Sequence, residues 1–348
     1  MHLCKLRLYN FRGYEDATFE FSPGVNHIYG SNAVGKTTIL EAIQLLICGR
    51  SFRTQQASDM IRHGAANYVV EATFIKHGVE QGIKIAFDGK IKKILINQSP
   101  CLSYSNLLGV IYGVVFTPDD ASLIKGVPSG RRHFLDLHIA QSDPLYVHHL
   151  SRYNKAMKQR NCLLRGKNVK AIVPWEIEMA NAAEYIVEKR KIVVDSIANY
   201  ACCSYKKLSE ESSSLHVSLK TSVDKGKNGF LQVLEKSRSR EMELGYTING
   251  PHKDDLSFAI GNKEVRYFGS EGQQRSCVAS LRLSSWDRLA DQVGVSPLML
   301  VDDVGISLDE IRKGKLHEKL CSMGQVLLTS TEKPSSGLIR STDQVIAL

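Results

Sequence analysis

The 348-residue sequence predicts an α/β nucleotide-loop head interrupted by a long, mainly α-helical arm. Three observations carry that reading. Gly30-Ser31-Asn32-Ala33-Val34-Gly35-Lys36-Thr37-Thr38 fits G-x-x-x-x-G-K-[ST] between a strand-like and a helix-like segment. Pro297-Leu298-Met299-Leu300-Val301-Asp302-Asp303 is an apolar strand pattern that ends in two carboxylates. Between them, from Pro128 to Tyr205, strand signals give way to helical spacing rich in Lys and Arg.

Residues 1–9 and 17–21 read as the strands of a hairpin, joined by Asn10-Phe11-Arg12-Gly13-Tyr14. Val25–Tyr29 reads as a short buried strand, and Ile39, Leu40, Ile43 and Leu46 follow the loop at helical spacing. In that order, backbone N–H groups of Gly30–Thr38 and a helix N-terminus face an anion, and the glycines admit backbone too close for a side chain. Lys36 would reach the β- and γ-phosphates of ATP and facilitate their transfer, and the Thr37 hydroxyl would ligate Mg²⁺. Without nucleotide, Lys36 is expected to face solvent. Gly49-Arg50-Ser51-Phe52-Arg53-Thr54 stops the helix. Tyr68–Ile75, Gly82–Phe87 and Ile91–Ile96 read as strands, with Asp88-Gly89 as a hairpin turn, and Val114–Phe116 as one more.

Asp143 caps a helix with Pro144 in its first turn, running to Leu164. After the break Arg165-Gly166-Lys167-Asn168, Pro174 opens a second helix to about Leu208, roughly 50 Å long at about 1.5 Å per residue. Two long helices joined by a short polar link predict an antiparallel arm. Ser209 to Ser214 is a polar linker, and Leu215–Leu219 a strand. The chain carries a net charge of +9, and residues 125–240 hold 21 Lys and Arg against 11 Asp and Glu, a net +10. The excess therefore sits in the arm, where Lys189, Arg190, Lys191, Arg131 and Arg132 are candidates to meet the phosphates of DNA. The expected division is 1–124 and 241–348 for the two parts of the head and 125–240 for the basic arm.

From 241 the chain returns to α/β character. Ser270-Glu271-Gly272-Gln273-Gln274-Arg275 opens a helix through Cys277, Leu281 and Leu289. A Ser and a Gly at a helix start offer a hydroxyl, N–H groups and a positive dipole end. A second phosphate-binding surface in a chain with one phosphate loop makes sense if two copies sandwich nucleotide. Ser270, Gly272, Gln273 and Arg275 would then act in trans in an ATP-dependent homodimer. On the acidic strand, Asp302 would hold Mg²⁺ and Asp303 would orient or deprotonate the attacking water. Gln325–Ser330 reads as a last buried strand.

A hydrophobic fraction of 43% with 23% charged residues is that of a soluble protein. There is no apolar run long enough for a bilayer, and the strand-like N-terminus lacks the apolar block of a signal peptide, so a cytoplasmic protein without membrane contact is expected. The eight cysteines are scattered without a C-x-x-C pair, which speaks against zinc or disulfides.

Taken together, these stretches resemble the ATP-binding-cassette superfamily and, within it, the RecF family of bacterial recombination-repair proteins. The resemblance runs nearly end to end. It covers Leu8-Tyr9-Asn10-Phe11-Arg12, the phosphate loop, Gly49–Thr54 and Phe116-Thr117-Pro118-Asp119-Asp120. It continues through Pro128–Asp136, Gly250-Pro251-His252-Lys253-Asp254-Asp255, Ser270–Arg275 and Leu300–Val304. The resemblance implies an ABC-type P-loop ATPase head built from both chain ends, with the arm inserted. It also implies an ATP-bound dimer on single-stranded and gapped double-stranded DNA, hydrolysing ATP slowly and loading recombinase with the mediator proteins RecR and RecO. The sequence departs from the family pattern at three places. Ser307 is displaced by one position after Asp303, although Asp309 keeps its place. No obvious glutamine follows Val114–Phe116, where cassette ATPases commonly keep one near Mg²⁺, and Asp119 or Asp120 would serve in its place. Thr329-Ser330-Thr331 stands where cassette ATPases carry a switch histidine.

Two other classes remain open on sequence. A transporter's ATPase subunit would share the ATP motifs but lack a basic helical arm, and its signature would read Leu-Ser-Gly-Gly-Gln. A non-hydrolysing scaffold gated by ATP would differ only in releasing no phosphate.

Overall fold

The computed structural model describes residues 1–101, 103–167, 171–209, 213–223, 226–303, 309–334 and 340–348. Asn168, part of the 209–214 linker, and the loop with the displaced Ser307 lie outside them. In chain order the elements begin with β1 (His2–Phe11), β2 (Tyr14–Glu20), β3 (Val25–Tyr29), α1 (Lys36–Cys48), β4 (Tyr68–Lys76), β5 (Val79–Phe87), β6 (Lys92–Ile96) and β7 (Ser99–Pro100). Then come α2 (Tyr104–Leu107), β8 (Gly113–Phe116), α3 (Ser122–Lys125), α4 (Pro128–Ala140), α5 (Pro144–Arg165), α6 (Val173–Ser209), β9 (Leu215–Lys220) and α7 (Gly226–Leu244). The last are β10 (Asp255–Ile260), β11 (Lys263–Glu264), α8 (Val265–Phe268), α9 (Glu271–Val293), β12 (Leu298–Asp302), α10 (Glu310–Cys321), β13 (Val326–Ser330) and β14 (Gln344–Ala347).

These elements form two compact units. The first comprises Met1–Ala121, Lys207–Glu210 and Glu271–Leu348; the second comprises Ser122–Lys206 and Glu211–Ser270. The second unit thus runs on to Ser270, beyond the arm boundary expected at 240. The reason is the ladder between β9 and β10, which pairs Leu215–Lys220 with Asp255–Ile260 and holds the later segment to the earlier one.

The first unit holds two sheets. One is antiparallel, in the order β2-β1-β4-β5-β6-β7; the other is parallel, in the order β14-β3-β13-β12-β8. The parallel strands read as continuous apolar runs because both faces are covered: Leu298, Met299, Leu300 and Val301 are all buried. Helix α1 packs against β8, β12 and β13 of the parallel sheet and β4 and β5 of the antiparallel one. Its residues are accordingly buried almost all round, from Ile39 to Cys48.

In the second unit, α5 and α6 run antiparallel, as their side-chain partners show. Asp143 meets Tyr185, Arg152 meets Glu178 and Arg160 meets Glu176. Ion pairs are buried here in number. Arg190, expected on a DNA-facing surface, is 1% exposed. Its guanidinium reaches Asp136 and Asp254 at 2.7 Å each and donates to the Tyr146 hydroxyl at 2.9 Å. Arg131, also expected at the surface, is buried with a two-pronged contact to Asp255 at 2.6 and 3.0 Å. Both expectations are corrected for one reason: a buried guanidinium needs carboxylates, and Gly250–Asp255 supplies them. Arg132 is half-buried and donates to the Asp254 carbonyl oxygen at 2.9 Å. Lys189 lies 3.1 Å from Asp143, and Lys191 is half-buried.

His252 completes this fastening. Its Nε2 donates to the Thr247 carbonyl oxygen at 3.0 Å, and its Nδ1 accepts from the Tyr153 hydroxyl at 2.7 Å. That arrangement needs a neutral ring. Burial, the largest cause, lowers the imidazole from 6.5 to about 4. The unfolded chain therefore takes up a proton that the folded one refuses. Stability present above pH 6.5 is lost as pH falls toward 4, by about 2 kcal/mol at pH 5. In urea titrations, His252→Gln should shift its midpoint between pH 7 and pH 5 by less than the parent protein does. An equal shift would mean His252 is not the titrating group.

Candidate nucleotide-binding site

Strand register builds the site. β13 lies between β3 and β12, pairing Thr329 with Ile28 on one side and with Asp302 on the other. The C-terminal ends of three parallel strands therefore share one edge, where open α/β sheets bind ligands. From that edge the Gly30–Gly35 loop leads into α1. Gly35 is the N-cap of α1 at φ 113°, and no side chain caps it. Thr38 and Ile39 donate their N–H groups to the Gly35 carbonyl oxygen at 3.0 and 3.3 Å, and the N–H groups ahead of them have no partner within the helix, so they are the ones set to meet an anion.

Lys36 does not face solvent. It is 7% exposed, and its ammonium donates to the carbonyl oxygens of Gly30 and Ser31 at 2.6 and 2.9 Å. A cation at the rim of such a loop is better paired with the loop's own carbonyls than left half-desolvated. Thr37 Oγ1 lies 2.9 Å from both carboxylate oxygens of Asp302. The phosphate loop and the acidic strand, 265 positions apart, thus meet directly. Hard oxygen donors so placed suit Mg²⁺.

Thr329 is the residue that sequence reasoning missed. Its hydroxyl donates to Asp302 Oδ1 at 2.8 Å and accepts the Asp303 N–H at 3.0 Å. The sequence showed only that a histidine was absent there. No local signal marks its role, which comes from register: the fourth residue of β13 lies level with the fifth of β12. Asp303 itself sits at φ 49°, a left-handed conformation uncommon outside glycine. Burial raises its carboxyl above the ordinary range and Asp302 adds to this, while Lys36 pulls it down.

Two further motifs serve the loop helix. Glu41, on the second turn of α1, is fully buried. It receives Arg12 Nη2 and Ser51 Oγ at 2.6 and 2.5 Å, with Arg53 at 3.4 Å. The Arg12 and Gly49–Thr54 segments therefore anchor α1. Asp120 accepts from Arg282 of α9, with Nε at 2.8 Å, and from the Thr117 N–H at 2.9 Å. The Asp120 carboxylate is thus already engaged, while Asp119 is exposed.

Ser270 is exposed, and α9 begins at the next residue. Gly272 lies against the guanidinium of Arg312, with Nη1 2.7 Å from where a Cβ would stand. Arg312 is held in turn by Asp309, the cap of α10, at 2.9 Å. Arg275 pairs with Glu271 at 2.5 Å one turn earlier, and Gln273 is half-buried. No helix among the described residues is long and apolar enough to cross a membrane.

A parallel sheet with a phosphate loop and an acidic strand at one edge, beside an antiparallel sheet and a long helical insertion in the sequence, defines an ABC-type P-loop head. A family model described as an AAA domain matches residues 5–126. The "DNA replication and repair protein RecF" of Protochlamydia amoebophila is 49% identical over 339 residues, covering 95% of this chain and 94% of that one. A solved structure described as the recombination mediator protein RecF-ATPrS in the RecFOR pathway aligns with a TM-score of 0.88 at 30% identity, over 95% of this chain and 93% of that one. An Smc head bound to the C-terminal winged-helix domain of ScpA aligns with a TM-score of 0.56 at 16% identity, over 96% of this chain and 91% of that one, a likeness of fold alone. The chain belongs to the RecF family of DNA replication and repair proteins.

Thr329→Val keeps the volume and removes the hydroxyl. It should lower stability by about 1–3 kcal/mol, because the Asp303 N–H and one Asp302 oxygen lose a partner. Denaturant titration of the nucleotide-free protein measures this, and an unchanged midpoint would show that the clamp holds nothing.

Proposed function

We propose that this protein is an ATP-dependent DNA-binding protein of recombinational repair and replication-gap processing. In this reading it dimerises on gapped or junction DNA when ATP is bound, hydrolyses ATP slowly, and assists recombinase loading with RecR and RecO in the cytoplasm. The observation that carries the reading is the Thr37–Asp302 contact, which brings the phosphate loop to the acidic strand. Membership of the RecF family and the likeness to the RecF-ATPrS structure of the RecFOR pathway support the biological setting.

Loop N–H groups between Gly30 and Thr38, whose own N–H groups donate to Ser330 and Gly35, bind the triphosphate together with the Lys36 ammonium, which exchanges the carbonyls of Gly30 and Ser31 for phosphate oxygens. Thr37 and Asp302 would hold Mg²⁺, which neutralises charge on the phosphates when bound. Asp303 takes the proton of the attacking water; its raised carboxyl pKa makes it a stronger base than an ordinary aspartate. Ser270, Gly272, Gln273 and Arg275 of one copy face the nucleotide of the other. The basic arm meets DNA through residues at its surface, Lys189, Lys191 and Arg132 among them.

Asp303→Asn should bind ATP and dimerise yet release phosphate about 100-fold more slowly or worse. Unchanged release would move the base elsewhere, and no release by the parent protein with or without DNA would leave a scaffold gated by ATP. The trans arrangement has its own test. Lys36→Ala and Ser270→Arg preparations should each be nearly inactive. Mixed, random pairing makes about half the dimers hybrid, each with one whole site of two, so about a quarter of parental activity returns. No recovery, with subunit exchange demonstrated separately, would exclude the sandwich.

A further inference from the structure

Tyr14 opens β2 directly after the tight turn from Phe11, and its ring stands edge-on to Phe19, 5.6 Å away at 80°. Its hydroxyl oxygen is buried and has no hydrogen-bond partner among the described residues. The same oxygen is the nearest atom to the space a Cβ on Gly35 would fill, at 2.6 Å. An aromatic ring held at this spot without need of a hydroxyl would be a phenylalanine, which leaves no buried polar group unpaired. The O–H is therefore set against the phosphate loop at the uncapped start of α1, with no acceptor among the described residues.

We propose that the Tyr14 hydroxyl donates a hydrogen bond to the phosphate chain of the nucleotide held by the Gly30–Thr38 loop. The proposal rests on the nucleotide reading of that loop. Lys36 and Thr37 already have partners, which a ligand must displace. Tyr14 gives up no partner, so its bond to a phosphate is gained without a compensating loss. The turn that carries it is fixed by Arg12, whose guanidinium is locked on Glu41 of α1. Burial pushes the phenol up to about 12, so the proton to be donated is present at neutral pH.

Calorimetric titration of the full chain with ATP and, separately, with inorganic tripolyphosphate tests this. Tyr14→Phe should weaken both about tenfold, as expected for one lost hydrogen bond to a charged group. Its melting temperature without ligand should stay level or rise, since the hydroxyl has no partner to lose. Parental affinity for both ligands would overturn the proposal. So would a loss confined to ATP, which would assign the hydroxyl to the nucleoside, and so would a lower melting temperature, which would make it structural. Lys36→Ala run in parallel separates the two readings. If it loses binding while Tyr14→Phe does not, only the role of Tyr14 falls; if it binds like the parent, the nucleotide reading of the loop falls first.

Discussion

The carboxylate of Asp302 is the point at which the head is tied together. It receives one hydroxyl from the start of α1 and one from the end of β13, at 2.8–2.9 Å. Charge-assisted bonds of this length in a nearly dry setting are stronger than bonds between neutral groups. Remove the carboxylate and the buried Thr329 hydroxyl and the half-buried Thr37 hydroxyl lose their acceptor. The loop helix would also lose its link to the strand that carries Asp303. The site's own groups are in this sense already paired with one another. Lys36 rests on loop carbonyls and Thr37 on Asp302, so arriving phosphates exchange partners within a formed cradle. Preorganisation of that kind lowers the ordering a ligand must impose.

The second consequence of the clamp is the placing of Asp303. Its left-handed backbone is a strained choice for aspartate, and such strain persists only where surrounding bonds over-determine it. Here Thr329 supplies them by accepting the Asp303 N–H. A threonine at this place thus holds both acids, one by its proton and one by its lone pair.

How much of this was legible in the sequence depended on whether the partner lay nearby. The phosphate loop, its strand and its helix are local, and the structure has β3 at Val25–Tyr29 as expected. Both long arm helices were marked by their prolines and caps. The acidic strand was marked by five apolar residues before two acids. Helix α7 was not foreseen: it opens on Gly226-Lys227-Asn228-Gly229, and only Phe230 and Leu234 of its apolar residues are buried. Strand β14 is four residues long and is defined only by its pairing with β3. The role of Thr329 could not be read either, because it depends on register between strands set by the whole sheet.

The basic middle of the chain shows the same limit from the side of charge. Composition located the excess correctly but could not say which residues carry it. Arg131, Arg160 and Arg190 look like surface cations in a run of Lys and Arg, yet each is buried against a carboxylate far along the chain. Each such pair removes one positive and one negative charge from the surface, so the imbalance survives burial. The second unit holds 23 Lys and Arg against 15 Asp and Glu, a net +8. With the buried arginines matched, that excess must be displayed by exposed residues such as Lys155, Lys158, Lys206, Lys236 and Arg240. Long-range attraction for a polyanion follows from the sum of those charges, whichever of them touch it. The buried arginines serve that attraction indirectly: they hold rigid the helices on which the exposed ones stand.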